Sequence, residues 1–416
     1  METIYGDIAA RCGGNIYLGV VGPVRTGKST LVKKIMEELV LPAIADPYRA
    51  ERARDELPQC GSGKTIMTAE PKFVPEEAVE VSPDGTAKIR IRMIDSVGYM
   101  VPGAMGAQED GNPRMVTTPW FDHEIPLTQA AELGTKKVME GHATMGLVVT
   151  TDGSITDIPR QDYAQAERKA ILDMAATGKP FLVVINSRSP ESPQARELKE
   201  ELDQTYGINA LILDCQGASK EDIRQLFAAM LYSFPMSAME VYLPRWMDAL
   251  EGGHPVKAAL FAGLLELAQS IPSLGQAEGL LPKLAELPQV RGYSLKGLQP
   301  ATGTVAVAVD FPESLFYEIL SQRSGIAVES DSQLLERFTE LGRIKREYDR
   351  LQDALNAVKA TGYGVVKPAP EELHLQKPEM LKRGNTYGVK LRATAPSIHL
   401  MRVDVDTEIS PMVGDE

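Results

Sequence analysis

The run Gly22-Pro-Val-Arg25-Thr26-Gly27-Lys28-Ser29 spaces its glycines, lysine and hydroxyl as GxxxxGKS. Each residue type has a task at that spacing. The glycines let backbone N–H groups wrap a phosphate chain, and a helix that follows adds the positive end of its dipole. Lys28 neutralises the outer phosphates and Ser29 coordinates Mg²⁺. Asp95-Ser-Val-Gly98 is a second element, DxxG, in which the aspartate holds Mg²⁺ through water and the glycine senses a γ-phosphate. Between them lies GKTIMTAEP (63–71), where Thr68 or Thr65 is the candidate to complete the metal shell. The nucleotide-binding set read from these motifs is Gly22, Arg25, Thr26, Gly27, Lys28, Ser29, Thr30 and Gly98, with Asn186 further along the chain.

The base is addressed next. Guanine-specific P-loop enzymes read the ring with NKxD, whose aspartate accepts from guanine N1–H and the amino group. Here the corresponding run is Asn186-Ser187-Arg188-Ser189, with serine where lysine and aspartate are required. A site that hydrogen-bonds a distinguishing group discriminates by about 10⁴ to 10⁵, so loss of the carboxylate removes most preference for guanine. ATP is the better expectation. Tyr99 follows Gly98 where many GTPases place a water-orienting glutamine, which predicts slow turnover or another catalytic group. Arg25 is open to two readings, a cationic finger on the transferring phosphoryl or a surface arginine packed near the helix start.

These residues need a strand–loop–helix frame. NIYLGVVG (15–22) is apolar, β-branched and ends in glycine, and KSTLVKKIMEELVLP reads as a helix stopped by Pro42. Residues 43 to 75 show charge and little periodicity, which predicts a mobile connector. AVEVSPDGTAKIRIRMID predicts two strands joined by a Pro-Asp-Gly turn. GLVVTT (146–151), FLVVINS (181–187) and ALILDC (210–215) are buried-strand runs separated by helical patterns, so the expected fold class is α/β, a GTPase-like P-loop NTPase domain over residues 1–235. Residues 236–300 read as a mostly helical middle segment. Residues 301–416 read as an α+β module, with TVAVAVDF as a strand. Its Leu334, Phe338, Leu341, Ile344, Tyr348, Leu351, Leu355 and Val358 mark one long amphipathic helix over 331–360, suited to core packing or to self-association.

Composition narrows the function classes. A formal net charge of −13 with no basic block argues against a nucleic-acid partner. No apolar run reaches the roughly 18 residues of a membrane span, and the N-terminus has no signal-peptide pattern, so any membrane role is expected to be peripheral. Three cysteines without metal-ligand spacing, and five scattered histidines, suggest neither a disulfide framework nor a metal site beyond Mg²⁺ and fit a reducing, cytosolic setting.

Beyond these generic motifs, GVVGPVRTGKST, DELPQCGSGKTIMTAEPKFVPEEAV, MIDSVGYMVPGA, NPRMVTTPW, VVTTDGSITDI, KPFLVVINS and ATAPSIHLMRVDV resemble the stage IV sporulation protein A family over nearly the whole chain. These are ATP-hydrolysing coat morphogenetic proteins of spore-forming bacteria. The resemblance implies a mother-cell cytoskeletal protein that assembles into the coat's basement layer around the forespore. It implies attachment to the outer forespore membrane through a small amphipathic peptide and C-terminal sequence, with other coat proteins as partners. It also implies catalytic roles for Lys28, Asp95 and Thr68, the last two and Ser29 being those set on the metal. Where the family can show two adjacent threonines this chain has Thr68-Ala69, so no second sensor carries over. Family members continue past the point where this chain stops, at Glu416, so the resemblance leaves membrane targeting and full polymerisation of this chain open. Two other readings stand beside an assembly ATPase: a soluble regulatory GTPase with partner-binding later domains, and a scaffold with a vestigial site.

Overall fold

The computed structural model describes residues 4–58, 71–83, 88–102, 104, 108–109, 112–118, 121–384 and 386–409. The segment 59–70, which holds Thr65 and Thr68, lies outside the described residues. Contacts divide the chain into two compact units, 1–311 and 312–416.

In the first unit the order opens with α1 (Ile4–Cys12), β1 (Asn15–Val21), α2 (Lys28–Ile35) and α3 (Pro47–Asp55). Next come β2 (Lys72–Val81), β3 (Ile89–Asp95), α4 (Leu127–Lys137), β4 (Met145–Thr151), α5 (Arg160–Ala176), β5 (Phe181–Asn186), α6 (Pro193–Tyr206), β6 (Leu211–Leu213) and α7 (Lys220–Tyr232). The described strands of the main sheet run β6-β5-β4-β1-β3-β2. All neighbours are parallel except β2, which returns antiparallel on β3. From β1 the chain goes first to β3 on one side and then to β4 on the other. The crevice at the carboxyl ends of β1 and its neighbours is therefore a topological switch point, where ligands of such sheets bind.

Burial on both faces explains the continuous apolar strands. Ile16, Leu18 and Val20 of β1 and Met145, Leu147 and Val149 of β4 pack with Leu31, Ile35, Leu226 and Phe227 on one side. Val148, Val183 and Ile185 pack with Met139, Tyr163, Ile171 and Met174 on the other.

The expected connector over 43–75 is corrected by α3. Asp46 caps it by accepting from Tyr48 N at 3.0 Å, and Pro47 occupies its first turn. Only Ala53 of this helix is buried, so no apolar period announced it. The helix after the phosphate-loop motif runs as far as read but changes type: α2 passes into a π-turn (Met36–Val40) and a short 3₁₀ turn (Leu41–Ala43) that contains Pro42.

Beyond residue 235 lie β7 (Ala238–Tyr242), α8 (Pro255–Ser270), α9 (Leu274–Leu280), β8 (Gly292–Gln299) and β9 (Thr304–Asp310). The strands form one sheet in the order β7-β9-β8, which joins residues on both sides of position 300. This part is tied to the main sheet's helices. The Arg11 guanidinium donates to Pro235 O at 2.6 Å and to Ser237 Oγ at 3.0 Å, and Leu274 N donates to Phe234 O at 3.1 Å.

The second unit holds α10 (Glu313–Ser324), α11 (Asp331–Thr361), β10 (Tyr363–Val366), β11 (Glu379–Arg383), β12 (Thr386–Lys390) and β13 (Ile398–Met401). β10 pairs with β13 and lies against α11, where a side chain at Gly364 would collide with Ala354 O. β11 and β12 form a hairpin. Along α11 the stripe residues Phe338, Leu341, Ile344 and Tyr348 are exposed, and only Ala354 of the helix is buried.

Candidate nucleotide site

Register puts the motif residues on one edge. Val20 of β1 lies opposite Asp95, the last residue of β3, and Val21 lies opposite Val148 of β4. The loop after β1 therefore leaves the sheet between Asp95 and the end of β4. Thr151, the last residue of β4, pairs with Asn186, the last of β5.

Within the loop, Gly27 has φ +91, and a Cβ there would collide with the Asn186 amide. Arg25 also has positive φ, 65°, a strained conformation outside glycine that the compact loop imposes. Thr26 is fully buried and its hydroxyl donates to Pro23 O at 3.0 Å. Lys28 is 5 % exposed, with its ammonium on Pro23 O at 2.7 Å and Gly22 O at 3.3 Å. Burial pushes its pKa down to about 8, and nearby Asp95 opposes that shift. The loop's own carbonyls thus hold a buried cation above the N-terminus of α2, where Ser29 and Thr30 lie in the first turn.

Ser29 Oγ donates to Asp95 Oδ2 at 2.6 Å. Asp95 Oδ1 is buried without a hydrogen-bond partner among the described residues. Burial raises the Asp95 pKa, while Ser29, Lys28 and Lys72 pull it down. A hydroxyl and a carboxylate with one oxygen unspent are hard donors of the kind Mg²⁺ takes, with substrate oxygens and water filling its remaining positions. Among the described residues no group of three or more His, Cys, Asp or Glu could hold a metal.

Gly98 has φ +97, and any side chain there would run into Gly22 O and the Lys28 ammonium. Glycine is required for the DxxG segment to lie this close to the phosphate loop. Its neighbour Tyr99 is fastened by the backbone: Tyr99 N donates to Gly22 O at 3.0 Å and Val24 N donates to Tyr99 O at 2.8 Å. The Tyr99 ring is 3 % exposed, and its hydroxyl donates to Asp173 Oδ2 on α5 at 2.8 Å. Burial, then Asp173, pushes its pKa upward. Tyr99 in this arrangement packs and anchors. Its partner Asp173 carried no motif signal and was missed in sequence.

Asn186 is wired between two loops. Its amide donates to Thr26 O at 2.9 Å, and its carbonyl accepts from Cys215 N at 3.1 Å. Arg188 is drawn aside, its N–H on Ser154 Oγ at 3.0 Å and its guanidinium on Ile155 O at 3.4 Å. A further buried network, unforeseen in sequence, sits at the end of β4: Glu167 of α5 accepts from Thr150 Oγ1 and pairs with Arg160 at 2.7 Å. The structure brings Gly22, Thr26, Gly27, Lys28, Ser29, Asp95, Gly98 and Asn186 together. Thr68 and Thr65 fall outside the described residues.

Residues 1–235 match the family description "Stage IV sporulation protein A, ATPase domain", and residues 236–414 match the middle domain of the same family. The chain belongs to the stage IV sporulation protein A family. It is 43 % identical to stage IV sporulation protein A of Clostridioides difficile over 415 residues, all of this chain and 84 % of that protein. It is 41 % identical to the Bacillus subtilis protein, over 99 % of this chain and 84 % of the relative. Among solved structures, elongation factor SelB from Methanococcus maripaludis in complex with the GTP analogue GppNHp matches 52 % of this chain and 34 % of its own. It does so at 16 % identity and a TM-score of 0.28, too distant a likeness to carry an argument. The family's ATPase domain here is an α/β P-loop NTPase fold, so the chain carries a nucleotide-hydrolase domain of a sporulation protein. No helix among the described residues is long and apolar enough to cross a membrane.

Proposed function

We propose that this member of the family is a slow Mg²⁺-dependent ATPase whose nucleotide cycle controls its self-assembly into the basement layer of the spore coat. The observation that carries the enzymatic half is the cluster of Ser29 on Asp95, with the second Asp95 oxygen unspent, beneath the buried Lys28 ammonium. In this reading loop N–H groups over 22–29 cradle the phosphates, and Lys28 leaves its loop carbonyls to meet the outer phosphates. Ser29 and Asp95 hold Mg²⁺, which when bound shields the phosphate charge. Gly98 and Thr68 sense the γ-phosphate. Tyr99 is spent on Asp173 and leaves the water-orienting position without a glutamine, which supports slow turnover.

The assembly half rests on family membership. In this reading the partners are further copies of the chain, a small amphipathic membrane-bound sporulation peptide and other coat proteins. The place is the mother-cell cytoplasm, peripheral at the outer forespore membrane. The test is sedimentation of the purified chain with Mg·ATP beside Lys28→Ala. ATP-dependent pelleting of wild type alone is expected, and equal pelleting of the two proteins would separate assembly from the nucleotide site.

A further inference from the structure

The loop that follows β6 stands beside the phosphate loop, because Asn186 joins Thr26 O on one to Cys215 N on the other. A nucleotide whose phosphates occupy residues 22–29 and which lies along the carboxyl edge therefore sets its base against two turns, 187–189 and 214–217. In the first, Ser189 offers no carboxylate to guanine N1–H and the 2-amino group. The second turn carries one. Asp214 Oδ1 accepts from Gln216 N at 3.0 Å, closing the turn on itself. Asp214 Oδ2 lies 2.6 Å from where a side chain on Gly217 would begin, and it has no hydrogen-bond partner among the described residues.

Two consequences follow for a purine edge. The Gln216 N–H, a donor that a 6-carbonyl would need, is already taken by Asp214. The oxygen left over is an acceptor with negative charge, which suits a 6-amino group and repels a 6-carbonyl lone pair. Glycine at 217 keeps the turn bare over this carboxylate. We propose that Asp214 is the specificity-determining residue for the base, accepting from the 6-amino group of adenine and turning away the 6-carbonyl of guanine. This rests on the ATPase reading above and adds a positive adenine contact to the missing guanine contact.

Adenine and guanine differ at position 2 and along the 6,1-edge, where adenine has an amino group beside a bare N1 and guanine a carbonyl beside N1–H. ITP confines the comparison to that edge, and purine riboside triphosphate, which keeps the bare N1, isolates the 6-amino group. ATP, ITP and purine riboside triphosphate are competed against a fluorescent N-methylanthraniloyl-ATP on the full chain. The expected order for wild type is ATP, then purine riboside triphosphate, then ITP, with each step about tenfold for a partly exposed contact. Asp214→Ala should compress both steps toward unity. Asp214→Asn keeps the acceptor for Gln216 N and can turn an amide N–H outward, so it should gain affinity for ITP relative to ATP, a shift that a role confined to the turn's structure does not produce. Binding of all three by wild type without discrimination, or unchanged ratios in both variants, overturns the assignment to Asp214 and leaves the ATPase reading in place. Failure of wild type to bind any triphosphate overturns both. Far-ultraviolet circular dichroism melts accompany each variant, and Asp214→Asn carries the test if Asp214→Ala melts early.

Discussion

Lys28 is buried, lowered in pKa to about 8 and held by carbonyls of its own loop, which is an expensive way to keep a cation unless anions come to it. The same economy governs Gly98. With φ +97 and a backbone carbonyl and an ammonium in the space a side chain would fill, Gly98→Ala is expected to distort the loop rather than lose one contact. A cost of about 1–3 kcal/mol in urea unfolding and a loss of ATP binding of at least about tenfold are predicted. Measurement of both on one preparation decides it, and an alanine variant that binds ATP normally would show that this glycine is not held against the loop. Most of this residue layer was legible in sequence because GxxxxGKS and DxxG fix both residue type and chain position. Asp173 and Glu167 were not, since a single carboxylate on an amphipathic helix looks like any solvated charge until the fold sets Tyr99 or Thr150 against it.

At the scale of elements, the segment after β3 is pinned to the phosphate loop on one side and to α5 on the other. Pro23 and Tyr99 bridge as parallel strands, and the Tyr99 hydroxyl reaches Asp173. The Tyr99 ring also faces the ammonium of Lys169 at 5.8 Å, itself paired with Glu132 at 2.7 Å. Tyr99→Phe keeps the ring and removes one hydrogen bond, so a loss of about 1 kcal/mol in stability is predicted. Because the hydroxyl also fastens the segment after β3 to α5, the rate of phosphate release is expected to change while the affinity for ATP does not. Equal stability of Tyr99→Phe and wild type would show the hydroxyl to be idle. The buried strands and the helical patterns between them followed readily from the sequence, since an apolar run without alternation marks burial on two faces; the order of the strands in the sheet carries no such signal. α3 did not, because a surface helix made of Arg, Glu and Asp leaves its signal in the cap, Asp46-Pro47, rather than in any period.

Over the whole molecule, every described residue of the nucleotide site lies in the unit 1–311. Residues 236–311 belong to that unit too, through the Arg11 contacts with Pro235 and Ser237 and through Leu274 on Phe234. A chain cut after Phe311 is therefore expected to keep nucleotide binding, with a melting temperature close to that of the unit in the full chain. A cut after Pro235 strips Arg11 of Ser237 and bares the side of α7 that meets α9, and its product is expected to melt earlier. Thermal unfolding of the two fragments side by side measures this, and equal melting would show that the boundary at 235 is the true mechanical one. The sheet β7-β9-β8 was hard to foresee because it brings in a strand from before the helical stretch, whose half-exposed pattern over 238–242 is weak. The exposed stripe of α11 was foreseen as a period but not as a surface, since spacing says which residues share a face and not what covers them.

The central claim is that Lys28, Ser29 and Asp95 form the working site of an ATPase. It is tested most directly by steady-state phosphate release from the purified chain with Mg·ATP and with Mg·GTP at equal concentration, Lys28→Ala serving as the blank. Slow release that is faster with ATP, and reduced by about 10²-fold or more in the variant, is the predicted result. A preference for GTP, or release from wild type no greater than from Lys28→Ala, would contradict it.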